Sequence, residues 1–243
     1  MKLTLRIQRY NPETDKEPYY QEFAVEAEPS DRVLDALMYV KRHLDGTLAV
    51  RKSCAHGICG SDAMRINGVE RLACKTLVKE VAEGDGSVVV VEPLRSMPVQ
   101  RDLMVDQTLF FQHYRSVRPY LLPAQPPPEK EYLQKPEDHS KIDDQTQCIL
   151  CAACYSACPI IAEKNPRFIG PAAVVQASRF VFDNRDEGLP PRLAELDAPD
   201  GVWPCETRMS CTRACPRGIK VTRHINVLKR HIDAHKEDGH QTA

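Results

Sequence analysis

Cys148-Ile-Leu-Cys151-Ala-Ala-Cys154-Tyr-Ser-Ala-Cys158-Pro159 is the stretch on which the reading of this chain turns. Its spacing, C-x2-C-x2-C-x3-C-P, points three thiolates at one iron–sulfur cube and sends the fourth to a neighbouring cluster. A second set, Cys205, Cys211 and Cys215 followed by Pro216, fits the same frame if Arg208 takes the second cysteine position. Exchange of fourth ligands then gives Cys148, Cys151, Cys154 and Cys215 to one cluster and only Cys158, Cys205 and Cys211 to the other. An arginine stays protonated and cannot serve as the missing ligand. One 4Fe-4S and one 3Fe-4S cluster are therefore predicted.

Upstream, Cys54-Ala-His-Gly-Ile-Cys59-Gly-Ser-Asp62 and the distant Cys74 match the plant-type C-x4-C-x2-C…C arrangement of a 2Fe-2S cluster, with Asp62 at the third ligand position. Gly57 and Gly60 suit a loop that must bring backbone amides close to sulfides. Asp62 carries the formal charge of a thiolate, and a hard carboxylate suits iron of ferric character. The alternative leaves Asp62 beside the cluster, with water or another oxygen donor completing the site. Zinc also uses CxxC pairs, but ten cysteines split as three, four and three do not divide into closed tetrahedral sites. Disulfides are disfavoured for closely spaced cysteines in a reducing compartment.

The rest of the composition narrows the function. A length of 243 residues suits one or two domains, and Lys+Arg 33 against Asp+Glu 34 leaves a net charge of -1. No basic field is available for nucleic acid or an anionic membrane. The opening MKLTLRIQRY has no apolar leader, so a reducing compartment is expected. Apolar runs such as Val88–Val91 fall far below the roughly 20 residues of a membrane-spanning helix, so membrane contact would come through a partner. With no G-x-G-x-x-G after a strand, no P-loop and no G-x-S-x-G, the chemistry left is electron transfer.

Alternation at Leu3, Leu5 and Ile7, and again at Phe23 and Val25, predicts two strands. Ser30 is placed to cap a helix with Val33, Leu34, Leu37, Met38 and Leu44 on one face. Asn67-Gly68 closes a hairpin of type I′, and Val88–Val91 forms a further strand. Pro119, Pro123, Pro126, Pro127, Pro128 and Pro136 favour an extended spacer. Beyond it, helices are predicted from Gly170-Pro171 to Phe182 and around Val221, Ile225, Leu228 and Ile232. The expected domains are residues 1–104, a proline-rich linker 105–140, and a helical domain 141–243. His56, His224, His231 and His235 read as solvated side chains, and Trp203 as packing beside Cys205.

The three-cluster arrangement resembles the iron–sulfur subunit of succinate dehydrogenase and of its relative, quinol:fumarate reductase. The likeness extends to Arg9-Tyr10-Asn11-Pro12, Leu72-Ala-Cys74-Lys-Thr76, Phe168-Ile-Gly-Pro-Ala172 and Cys215-Pro-Arg-Gly218. It implies an α+β chain, a β-grasp plant-type 2Fe-2S ferredoxin domain followed by an α-helical bacterial-type ferredoxin domain. It further implies a flavoprotein partner with FAD and the dicarboxylate site, and membrane-anchor cytochrome b-type subunits holding quinone and often haem. The chain would then be a peripheral protein on the cytoplasmic face of a bacterial membrane, with no catalytic residue of its own. It would pass electrons singly from 2Fe-2S through 4Fe-4S to 3Fe-4S and on to quinone. Pro159, Arg208 and Lys229 fall at quinone-proximal positions of the family. Where ubiquinone-linked members have tryptophan and histidine, this sequence offers Ala162, Glu163 and Glu206, which turns the expectation toward menaquinone. Asp62 leans toward succinate oxidation, whereas Gly201-Val202-Trp203 and Tyr10-Asn11-Pro12 look like fumarate reductase. An iron–sulfur adaptor of another flavin oxidoreductase is the remaining alternative.

Overall fold

A computed structural model describes residues 1–123 and 126–241. It divides into two compact units, one of residues 1–107 with 149–157, the other of 108–148 with 158 onward.

In the first unit, β1 (Lys2–Arg9) pairs antiparallel with β2 (Tyr19–Glu26). The helix α1 (Val33–Tyr39) follows, then the hairpin β3 (Ala63–Ile66) and β4 (Val69–Leu72), then β5 (Ser87–Glu92). The sheet order is β2-β1-β5-β3-β4, with β1 and β5 parallel and the other pairs antiparallel. A short ribbon of β6 (Val99–Arg101) and β7 (Met104–Val105) completes the unit. The alternation expected of β1 is present: Leu3, Leu5 and Ile7 are buried with Phe23, Val25, Val89 and Val91 and with Val33, Leu34 and Leu37 of α1. Asn67 and Gly68 both take positive φ, 49° and 78°, as a type I′ hairpin turn demands.

Ser30 does not cap α1. Arg32 holds that position in extended conformation, and its N–H donates to the Asp35 carboxylate at 3.1 Å. The first-turn amides of Val33 and Leu34 instead find the carbonyls of Thr76 and Ala73, at 2.9 and 3.1 Å. Backbone acceptors from another segment thus replace a side-chain cap. The same bonds hold the chain on both sides of Cys74. The helix also stops at Tyr39, giving way to a wider turn over Val40–Leu44 that swings Leu44 out to 49% exposure.

The second unit is helical, as expected, but it begins earlier. α2 (Thr108–Ser116) lies inside the stretch read as linker and packs against the later α6 (Gly170–Val181). The proline-rich segment is tied down as well. The Leu122 N–H donates to Asp186 at 2.8 Å, and the Glu187 N–H to the Leu122 carbonyl at 2.7 Å. Buried Arg192 pairs with Asp186 and donates to the carbonyls of Arg118 and Tyr120. Proline content disfavours helix but does not prevent backbone carbonyls from docking on a buried cation. Residues 124 and 125 of that stretch lie outside the described residues.

Between these come the short helices α3 (Pro136–His139), α4 (Asp143–Thr146) and α5 (Ala153–Ser156), the last on the segment grouped with the first unit. After α6 follow α7 (Leu189–Asp197), α8 (Ser210–Ala214) and α9 (Val221–Gln241). Central α6 is buried along nearly its whole length and packs on α9, α2, α4 and α7. Val174, Val175, Phe168, Leu196, Val202, Ile225, Leu228 and Ile232 make this core. Among the described residues, no helix is long and apolar enough to cross a membrane.

Candidate iron–sulfur sites

The loop between the wide turn and β3 wraps around the Cys54 sulfur. The backbone N–H groups of His56 and Cys59 lie 3.5 and 3.3 Å from it. The His56, Cys59 and Ile58 amides together pull the Cys54 thiol down to about 6, favouring the thiolate that a metal requires. Cys74 is the opposite case. It is fully buried, and burial, followed by its hydrogen bond to Asp62, pushes the thiol up to about 12.

Asp62 is 2% exposed. Its Oδ2 accepts the Cys74 N–H at 2.5 Å, while Oδ1 is buried with no hydrogen-bond partner. A buried carboxylate oxygen without a donor is costly unless a cation meets it. The donor set of Cys54, Cys59, Cys74 and the free Asp62 oxygen thus fits iron, and Cys59 stays exposed at the rim, 3.1 Å from the Ser61 hydroxyl. Arg9 and Asp102 tie down the start of this loop. Asp102 bonds Arg9 Nε at 3.1 Å and the Tyr10 and Ala49 amides at 3.0 and 2.7 Å.

In the second unit Cys158, Cys205 and Cys211 line one pocket with Pro159, Arg208 and Thr222. Burial pushes the Cys158 and Cys211 thiols up, and the charges of the neighbouring thiols add to the effect. Amide N–H groups of Ile160 and Ile161 face Cys158, and the Thr222 hydroxyl lies 3.4 Å from Cys211 Sγ. These donors are the kind that lower the charge cost of thiolates and sulfides. Arg208 lines the same pocket and pairs with Glu206 at 2.9 Å, and Lys164 meets the same carboxylate.

The two cysteine motifs share a backbone as well as a spacing. Leu150 and Ala152 have φ of 52° and 62°; Thr207 and Met209, at the matching places, have 59° and 61°. Of the remaining expected ligands, Cys151 and Cys154 belong to the segment grouped with the first unit, Cys148 and Cys215 to the second. Within the second unit, Arg217 donates to the Gln147 side chain at 3.0 Å, tying together the residues flanking Cys148 and Cys215. Among the described residues, no three His, Cys, Asp or Glu side chains converge as a single metal ion would require.

Residues 4–112 match the family model described as a 2Fe-2S iron-sulfur cluster binding domain, and residues 144–219 that of a 4Fe-4S dicluster domain. A protein of Coxiella burnetii named succinate dehydrogenase iron-sulfur subunit is 41% identical over 98% of this chain and 100% of its own length. The chain belongs to the succinate dehydrogenase and fumarate reductase iron–sulfur subunit family. A Mycobacterium tuberculosis protein named fumarate reductase iron-sulfur subunit is 42% identical over 90% of this chain and 87% of its own. A solved chain of the Mycobacterium smegmatis Sdh1 complex in the apo form superposes with a TM-score of 0.88, at 28% identity, covering 97% of both chains.

The three residues expected near a quinone, Pro159, Arg208 and Lys229, are not equivalent in this iron–sulfur subunit. Pro159 and Arg208 line the same open recess beside the thiols, with Glu163, Lys164, Glu206 and Arg213. Lys229 is absent from that lining and donates to the Cys205 carbonyl at 2.7 Å, with its ammonium 5.9 Å from the Trp203 ring. Trp203 donates through Nε1 to Asp197 at 2.8 Å and lies beneath Lys236. Two histidines read as solvated are engaged: His224 meets Asp144 at 2.6 Å, and His231 packs edge-on to Phe182. His56 is exposed, its Nδ1 2.7 Å from the Cys54 carbonyl. Thr222 is the site residue that sequence reasoning missed, since it belongs to no ligand motif.

Proposed function

We propose that this chain carries electrons in a succinate dehydrogenase, from the FAD of a flavoprotein partner to membrane quinone, through 2Fe-2S, 4Fe-4S and 3Fe-4S clusters. The ligands are Cys54, Cys59, Asp62 and Cys74 for the first cluster and Cys148, Cys151, Cys154 and Cys215 for the second. Cys158, Cys205 and Cys211 hold the third. The observation that carries the reading is the pocket in which three thiols meet Arg208 at the corner where the first motif has a cysteine. A cation in place of an anionic ligand favours the reduced cluster, which suits the last station before the acceptor.

The acceptor is menaquinone, reached at the recess of Pro159 and Arg208, with membrane-anchor subunits that hold the quinone and any haem. The chain sits as a peripheral protein on the cytoplasmic face of a bacterial membrane. The second reading is fumarate reduction by the same machinery, favoured by Gly201-Val202-Trp203 and by the M. tuberculosis relative. The test is to purify the native complex and measure iron, acid-labile sulfide and paramagnetic spectra. Succinate oxidation and fumarate reduction are then assayed with ubiquinone and menaquinone analogues. A 3Fe-4S signal and faster succinate oxidation with the menaquinone analogue are expected; colourless zinc-loaded protein, or two complete cubanes, overturns the assignment.

A further inference from the structure

Gly60, one residue after Cys59, lies against Cys151. A side-chain carbon built on Gly60 would stand 2.6 Å from Cys151 Cβ, 3.0 Å from its Cα and 3.3 Å from the Ile149 carbonyl oxygen. The loop that carries Cys54 and Cys59 and the segment that carries Cys151 therefore meet with no room for one further carbon atom. This fit is held from a second place. Buried Ser156 donates to Glu70 Oε1 at 3.0 Å and accepts the Arg95 N–H at 2.8 Å. Arg65 and Arg95 stand 3.8 and 3.6 Å from the same carboxylate oxygen. Segment 149–157 is thus pinned at both ends to the unit that carries Cys54, Cys59 and Cys74.

We propose that electrons cross from the 2Fe-2S to the 4Fe-4S cluster at the Gly60–Cys151 contact, that Gly60 sets the length of that crossing, and that Ser156 is its positioning residue. The inference rests on the cluster assignment above. Each crossing moves one electron: the donor cluster is oxidised by one, the acceptor reduced by one, no bond forms or breaks, and no proton moves. Gly60 contributes by its lack of a side chain, and the Ser156–Glu70 bond by keeping Cys151 from drifting outward.

The test uses the assembled complex and three variants, Gly60→Ala, Gly86→Ala and Ser156→Ala. Gly60 and Gly86 have φ of 68° and 84°, so both alanines suffer backbone strain, but nothing lies within 4 Å of the carbon added at Gly86. In Gly60→Ala the contact must open from 2.6 Å toward the 3.4 Å where ordinary packing begins. The readout is the enhancement of spin relaxation of the reduced 2Fe-2S cluster by the reduced 4Fe-4S cluster, with iron content measured in parallel. A close-packed interior passes the displacement on, so the enhancement should fall on the order of twofold in Gly60→Ala. It should fall in Ser156→Ala and stay at the wild-type value in Gly86→Ala. Wild-type enhancement in an iron-replete Gly60→Ala protein overturns the inference, as does an equal loss in Gly86→Ala. Should Gly60→Ala fail to assemble, Ser156→Ala decides: a reduced enhancement supports the crossing and an unchanged one rejects it. Absence of iron from the wild-type chain would reject the cluster assignment itself, a different outcome.

Discussion

Met209 repeats the left-handed turn of Ala152, so Arg208 occupies in its loop the place that Cys151 occupies in the other. Left-handed backbone at residues with a Cβ costs roughly 1–2 kcal/mol each and persists only where the surroundings enforce it. The second loop keeps both left-handed positions although an arginine stands where the first loop has its second cysteine.

Arg208→Cys should therefore place a thiolate at the open corner without rebuilding the loop. A 4Fe cluster of lower potential is expected, with slower quinone reduction. Paramagnetic spectra check it: an unaltered 3Fe signal in the variant contradicts the expectation.

Asp62→Ala removes the acceptor of the buried Cys74 N–H and should cost about 1–3 kcal/mol of stability, together with loss of 2Fe-2S iron. Asp62→Cys should retain that iron, because the new thiolate keeps the ligand charge. Iron and sulfide analysis with urea unfolding distinguishes the two. Full 2Fe-2S occupancy in Asp62→Ala would show that the carboxylate is no ligand.

Asp45 is held down to about 2 by the Thr47 hydroxyl and by Arg9, at 2.5 and 2.6 Å. A carboxylate with a depressed folded value stabilises the fold above its unfolded value near 4, and that contribution disappears as pH falls toward about 2. Asp45→Asn should flatten the acid side of the stability curve between those limits. Urea midpoints of the metal-free chain, followed by circular dichroism, provide the measurement; an unchanged slope would remove Asp45 from the account.

Arg192 and Asp186 have side chains 0% and 1% exposed. Arg192→Ala leaves the Asp186 carboxylate buried without its cation, and breaking such a pair from one side costs about 3–5 kcal/mol. The carbonyls of Arg118 and Tyr120 lose their donor too, so the 118–122 segment should become sensitive to protease. Limited proteolysis and urea unfolding test this, and wild-type resistance would count against it.

The cysteine spacings made the two iron–sulfur domains legible because such a motif lies on a short, continuous stretch of chain. The same holds for β1, for the Asn67-Gly68 turn and for the helix opened by Gly170-Pro171, where periodicity or turn chemistry is local. Ser30 and the proline-rich linker depart from expectation for one shared reason. The helix amides found partners at Thr76 and Ala73, and the carbonyls of Arg118 and Tyr120 found theirs at Arg192, all far along the sequence.

The sequence by itself determined the order and spacing of the ten cysteines and the arginine that stands at 208 in the second motif. Only the tertiary structure decided that Asp62 directs one oxygen to Cys74 and leaves the other bare, that Lys229 reaches the Cys205 carbonyl, and that Cys151 packs against Gly60. Ligand identity is a property of covalent neighbours, which the chain records directly. Burial and close approach are created when distant segments share one dense interior, and no local pattern encodes them.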